Sequence, residues 1–198
     1  MLGNTTQIEV MIMAAGSSQR LGQPKQLLQF QGLSLTRRIA IESIKANIGD
    51  VTIITGYHRE SVEKEVSDLN VSTFFNEEWS EGLGSSIRNG LKFLTNKKPG
   101  LNAVLIAMVD QPYVDAEHLK KLVNAYDPSR NMIIASAYSG TFGVPVLVDN
   151  YYFDHLKNLT GDEGGKKIFA QYLKNIVEIP FRQGAIDIDQ KEDVKLLD

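Results

Sequence analysis

The 198-residue chain has no cysteine, which excludes disulfides, thiolate nucleophiles, iron-sulfur ligation and thiolate zinc sites. Its three histidines, His58, His118 and His155, are too dispersed for a HExxH metal helix. Lysine and arginine never cluster beyond a pair, and a formal net charge of -3 adds to the case against a nucleic-acid surface. No apolar run approaches the roughly 20 residues of a membrane-spanning helix; the longest lies around Ala103 to Val109. The opening MLGNTTQIEV lacks a cationic segment followed by an apolar one, so no signal peptide is expected and the cytoplasm is the expected location. Neither the phosphate-loop pattern GxxxxGKS/T nor the dinucleotide pattern GxGxxG occurs. No repeat, low-complexity tract or long linker divides the chain, so residues 1–198 are expected to form one domain.

What is present is an alternation of apolar, strand-like runs with amphipathic, helix-like ones, the pattern of an α/β layered domain. Strands are expected at Ile8 to Met13, Asp50 to Gly56, Val71 to Phe75, Ala103 to Val109, Met132 to Ala137 and near Ile176 to Ile179. Helices are expected over Ser34 to Asn47, ended by Gly49, and over Glu60 to Leu69, Ile87 to Thr95, Ala116 to Tyr126 with Asp115 as cap, and Ile168 to Leu173. The run Ala103 to Val109 is the most continuous and should be the central strand, buried on both faces. Pro145 interrupts the strand after Gly140 to Gly143, which confines that strand to an edge or a bulge.

The first strand feeds Ala14-Ala15-Gly16-Ser17-Ser18-Gln19-Arg20-Leu21-Gly22-Gln23-Pro24-Lys25. A loop at the carboxyl end of a strand in an open α/β sheet borders the crevice where such sheets bind ligands. Gly16 and Gly22 let backbone NH groups converge, Ser17 and Ser18 add hydroxyls, and Arg20 and Lys25 add a planar and a point cation. A polyphosphate is the natural guest; an ordinary β-to-α connection capped by Ser18 is the plainer alternative. Asp110, just past the central strand in Asp110-Gln111-Pro112, lands in the same crevice, where it can hold a divalent cation or merely begin a turn. In Asp187-Ile188-Asp189, alternation along an extended chain puts both carboxylates on one face, for a metal, or Asp189 caps the last helix. Ser85 and Ser86 sit where a helix begins, as caps or ligand contacts, and the lone Trp79 is read as packing.

The first-loop string AAGxSxRxGxxK resembles the signature of the MobA-like nucleotidyltransferases, and KQLLQFQG is similar to their molybdenum cofactor cytidylyltransferase branch. NEEWSEGLGSSI from Asn76 to Ile87, Asp110-Gln111-Pro112, Gly143-Val144-Pro145-Val146-Leu147, Gly161-Asp162-Glu163-Gly164-Gly165 and Asp187-Ile188-Asp189 follow in family order along essentially the whole chain. The resemblance implies a three-layer Rossmann-like domain with a mixed, mostly parallel central sheet, of the nucleotidyltransferase or glycosyltransferase-A type. It implies Gly82 and Ser86 as nucleotide contacts beside Ala14 to Ser18, Arg20 and Lys25. Gly143, Pro145, Gly161, Asp162, Gly164 and Lys166 would border the second substrate. Val144 stands where the family usually has His, Lys166 where it commonly has Arg, and Gln190-Lys191 where it tends to have Thr-Pro.

The reaction so implied is Mg2+-assisted (or Mn2+-assisted) cytidylyl transfer from CTP to the terminal phosphate of molybdopterin, releasing pyrophosphate. Arg20 and Lys25 would stabilise the triphosphate, and Asp110 with Asp189, or Asp187, would hold the metal. Ala14-Ala15 replaces the Ala-Gly of guanylyl-transferring relatives, and the added methyl would crowd a purine. A molybdoenzyme is the expected transient partner of the product. Two other readings share these residues: transfer to a sugar or polyol phosphate, and a non-catalytic cofactor carrier.

Overall fold

The run Ile8–Ala14 forms β1, and its strict alternation sends side chains to two different cores. Val10, Ile12 and Ala14 face one layer, Met11 and Met13 the other. The computed structural model describes residues 6–165 and 169–197. The further strands are β2 (Gln29–Phe30), β3 (Leu33–Ser34), β4 (Val51–Thr55), β5 (Ser72–Phe75), β6 (Ala103–Met108), β7 (Ile133–Tyr138), β8 (Thr141–Asp149) and β9 (Ile176–Pro180). The helices are α1 (Leu35–Ala46), α2 (Arg59–Glu65), α3 (Leu83–Lys97), α4 (Ala116–Asn124) and the single turn α5 (Phe153–Leu156). Among the described residues no helix is long and apolar enough to cross a membrane.

Seven strands form one sheet in the order β5-β4-β1-β6-β8-β7-β9, and β2 with β3 make a separate small hairpin. Every neighbouring pair is parallel except β6 with β8 and β8 with β7, so β8 alone runs against the rest. One face packs on α1, α2 and α4 through Ile39, Val62, Leu119 and Leu122; the other packs on α3 and α5 through Ile87, Leu91, Leu94 and Leu156. This is the expected three-layer α/β architecture, with β1 and β6 at its centre. The connections after β1 leave toward β4 on one side, while β6 lies on the other, so the crevice of the sheet opens above β1 and β6.

Several local expectations change in the structure. Asn47, in the left-handed conformation at φ 52°, closes α1, so the helix ends before Gly49. Gly49 is needed for another reason: a Cβ there would lie 1.8 Å from the Ile8 carbonyl oxygen. Helix α2 stops at Glu65, short of Leu69. Pro145 sits in a strand that is interior, not at an edge; the pairing slips between Ala135 and Ser136 and skips Val144 and Pro145, the bulge that tolerates the missing NH. Asp115 caps α4 as expected, accepting from the His118 amide at 2.8 Å. The helix expected over Ile168 to Leu173 lies partly outside the described residues, and Leu173–Asn175 forms a 3-10 turn.

Candidate active site

The first loop turns tightly because the amides of Leu21 and Gly22 both donate to the Ser18 carbonyl, at 3.1 Å each. Ser18 and Gly22 both have positive φ, 57° and 75°, which glycine supplies readily and serine at a cost. Ser18 is held there by use of its side chain: its hydroxyl accepts from the Lys25 amide (3.1 Å) and donates to Gln26 Oε1 (3.2 Å). The buried Gln26 amide in turn donates to the carbonyls of Ala14 (3.0 Å) and Gly16 (2.7 Å), closing the neck of the loop. Among the described residues the amides of Gly16 to Arg20 take no protein acceptor. Sequence reasoning assigned Gln26 no role; the available signal was a glutamine directly after the loop's last cation.

Lys25 is the centre of the charge cluster. Its Nζ donates to Asp110 Oδ2 at 3.0 Å and to Asp189 Oδ1 at 2.6 Å, with side chains only 15%, 12% and 32% exposed. Burial alone would lower the Lys25 pKa, but the two carboxylates outweigh it and hold the ammonium above its ordinary range. Burial likewise pushes Asp189 up, and Lys25 and Arg20 more than reverse this. Arg20 Nη2 reaches Asp189 Oδ2 at 3.3 Å while remaining largely exposed. The Asp187 carboxyl is pushed up by partial burial and then by the negative charges of Asp110 and Asp189. It has no cation partner among the described residues.

Two features bring these distant residues together. The Ile188 amide donates to the Asp110 carbonyl (2.9 Å), laying the carboxyl-terminal segment along the end of β6. Ile188 is fully buried with Leu21, Phe30 and Leu35 in a small core beneath the loop, which carries Asp189 to the loop's cations and Asp187 to the pocket beside Asp110. The alternation read from Asp187-Ile188-Asp189 is therefore realised. Asp189 is not the cap of the last turn: Asp193 Oδ2 accepts from the amides of Asp189 (2.9 Å) and Gln190 (2.7 Å), which frees the Asp189 carboxylate for Lys25.

Helix α3 begins at Leu83, with Gly82 as N-cap at φ 113°, four residues before the expected start at Ile87. Ser85 and Ser86 are accordingly inside the helix and buried, and neither is a cap. Both hydroxyls accept from Asn76 Nδ2 at 2.9 Å, and Ser85 also donates to the Gly82 carbonyl (2.9 Å). Gly161 and Asp162 close on this helix start: the Gly84 amide donates to the Gly161 carbonyl (2.9 Å), and a Cβ at Gly82 would lie 2.4 Å from Asp162 Oδ1. Gly143 and Gly164 line a pocket of about 300 Å³ that Asp110 and Asp187 border. Its walls are apolar, from Leu83, Ile87, Ile106, Met108, Val144, Val146 and Phe169. Pro145 lies between two of these wall residues, and Lys166 lies outside the described residues. Ala14 packs into the core and Ala15 is buried too, its carbonyl accepting from the Tyr57 amide, so the loop first opens to the surface at Gly16.

Comparison with known proteins finds relatives along nearly the whole chain. The chain is 26% identical over 192 residues to nicotine blue oxidoreductase of Paenarthrobacter nicotinovorans, covering 91% of each chain. It is 25% identical to the purine catabolism protein PucB of Bacillus subtilis, over 79% of this chain and 77% of that one. Its fold is similar to that of Rv0371c from Mycobacterium tuberculosis, with a TM-score of 0.85 at 24% identity over 98% of each chain; a further structure of Rv0371c is a complex with manganese. Residues 10–176 match the MobA-like NTP transferase domain, and the chain therefore belongs to that family of nucleotidyltransferases.

Proposed function

We propose that the protein transfers a cytidylyl group from CTP to the terminal phosphate of molybdopterin and releases pyrophosphate. The observation that carries this reading is the Lys25 ammonium held between Asp110 and Asp189 beside a loop of open amides. A phosphate oxygen of the acceptor attacks the α-phosphorus, the α–β bridging P–O bond breaks, and the electron pair leaves with pyrophosphate. No protein nucleophile is required. The loop amides and Arg20 hold the triphosphate, and Lys25 meets the charge that develops on it. Gly82 and Ser86 flank the nucleotide, and Gly143, Pro145, Gly161, Asp162, Gly164 and Lys166 flank the acceptor.

The residues fit a divalent cation, Mg2+ or Mn2+. Among the described residues no group of three carboxylates or imidazoles closes around one point, so phosphate oxygens must complete the shell. Asp110 and Asp187 would hold it: both border the pocket, Asp187 has no cation partner among the described residues, and Asp189 is the carboxylate held by two cations, Lys25 and Arg20. When bound, the ion would neutralise charge on the phosphates. The apolar walls of the 300 Å³ pocket favour a ring-bearing acceptor over a polyol phosphate, whose hydroxyls would be left without partners there. After transfer, the dinucleotide would pass to a molybdoenzyme.

The test is pyrophosphate release with Mg2+ and molybdenum-loaded molybdopterin, comparing CTP with GTP, ATP and UTP. Release with CTP and a cytosine dinucleotide product is expected. Release with another nucleotide would overturn the choice of base, and turnover only with a sugar or polyol phosphate would overturn the acceptor.

A further inference from the structure

Tyr57 follows β4 on the side of β1 away from the apolar pocket, and it is 58% exposed, a large aromatic left open beside the first loop. It is fixed there. Its amide donates to the Ala15 carbonyl at 3.2 Å, and its ring meets Trp79 and His58 edge to face, with centroids 5.1 and 4.7 Å apart. The preceding Gly56 shows how tightly these parts meet: a Cβ there would lie 2.4 Å from the Ala15 carbonyl oxygen and 2.7 Å from Trp79 Cβ. The buried backbone of Ala15 and the aromatic pair are thus packed directly against each other, which fixes the exposed Tyr57 ring at the base of the first loop. Trp79 belongs to the segment that runs through Gly82 into α3, so the pair also joins the loop to that segment.

We infer that Tyr57, backed by Trp79, is the stacking platform for the nucleobase, a positioning residue for the nucleotide. This rests on the nucleotidyl-transfer reading above, which places the triphosphate on the loop. A base attached to a triphosphate held by the amides of Gly16 to Arg20 must lie to one side of the loop. The other side is occupied by Asp110, Asp187 and the acceptor pocket, so the base falls toward Ala15 and Tyr57. A supported ring with more than half its surface open offers a π-face to any base, and such contacts tolerate different bases. Discrimination among bases then falls to the Ala15 backbone and its neighbours, not to the ring.

Trp79 is the chain's single tryptophan, which makes it an internal reporter. CTP with Mg2+ is titrated into the full chain and into Tyr57→Ala and Tyr57→Phe, followed by Trp79 fluorescence and by calorimetry, with inorganic triphosphate as the base-free control. Expected are a fluorescence change that saturates with the calorimetric midpoint, affinity and KM about tenfold weaker in Tyr57→Ala, kcat within about twofold, and rescue by Tyr57→Phe. Triphosphate should bind both forms equally. Unchanged CTP affinity in Tyr57→Ala, or an equal loss for triphosphate, overturns the stacking role and leaves the nucleotidyl-transfer reading standing. Absence of binding by CTP and the other nucleoside triphosphates overturns both.

Discussion

The molecule holds a lysine between two carboxylates at each end of its central strands. At the carboxyl ends, Lys25 bridges Asp110 and Asp189; at the amino ends, Lys98 bridges the buried Glu9 and the exposed Asp50, the latter at 3.0 Å. Both lysines are held above their ordinary range, Lys98 chiefly by its hydrogen bond to Glu9. The lower cluster neutralises a carboxylate on the first strand, and both of its carboxylates are paired with Lys98. The upper one has a third carboxylate, Asp187, with no cation partner among the described residues, a loop whose amides take no acceptor among them, and a pocket alongside. A charge triad alone is therefore not a site. The uncompensated negative charge and the pocket beside it distinguish the upper cluster, to which the transfer reaction is assigned in the proposal above.

The largest expected effect is at Asp110. Asp110→Asn should reduce nucleotidyl transfer about 100- to 1000-fold in a steady-state assay, the range typical of losing one transition-state electrostatic contact. The fold should persist, because the Ile188 amide bonds to the Asp110 backbone and not to its side chain.

His118 sharpens the comparison from outside both clusters. It is 4% exposed, stacks on Phe181 at 4.0 Å, and bonds through Nε2 to Ser136 Oγ at 2.7 Å. The Ser136 hydroxyl donates to the Pro145 carbonyl (2.6 Å), so Nε2 carries the proton and the ring is neutral. Burial first, with Lys121 adding to it and Asp115 opposing it, lowers its pKa to about 4. The unfolded chain binds a proton near pH 6.5 that the folded chain refuses until about pH 4. Stability should therefore be full above that window and decline through it as pH falls, by on the order of 3 kcal/mol. Denaturation midpoints at several pH values check this, and His118→Asn should flatten the decline.

The smallest effect on the fold is expected at Asp187. Asp187→Asn relieves like-charge crowding with Asp110 and Asp189, so it should leave stability unchanged or slightly raised while the Mg2+ concentration needed for turnover increases. Denaturation and a metal titration of activity measure the two halves. A loss of stability would show that Asp187 is held in place by attraction, contrary to the crowding inferred from its neighbours.

The strands that frame the crevice were legible because β6 is a continuous apolar run and β1 is apolar apart from Glu9, the pattern of strands covered on both faces. The loop cations and Asp110 were legible from their place after those strands. What sequence could not supply was side-chain bonding across distance. Ser85 and Ser86 look like caps by type, but Gly82 starts the helix without a side chain and Asn76 takes both hydroxyls. Asp189 looks like a cap by position, yet Asp193 reaches back to do that work, and only then is Asp189 open to Lys25. Lys25 likewise looks like a ligand contact alone by its place after the first strand, yet it opens the 3-10 turn Lys25–Leu27. Its bonds to two aspartates from distant segments give it a structural part as well.

The most direct test pairs the two lysines, replacing Lys25 and Lys98 separately by methionine and measuring stability and transfer rate per folded molecule. Lys98→Met leaves the Glu9 charge buried without its partner and should lose about 3 kcal/mol of stability with transfer per folded molecule unchanged. Lys25→Met should lose some stability too, as Asp110 and Asp189 are left facing each other, and transfer should fall by at least about 100-fold per folded molecule. Near-normal transfer by folded Lys25→Met would contradict the catalytic role of the upper cluster, reducing it to a second structural clasp.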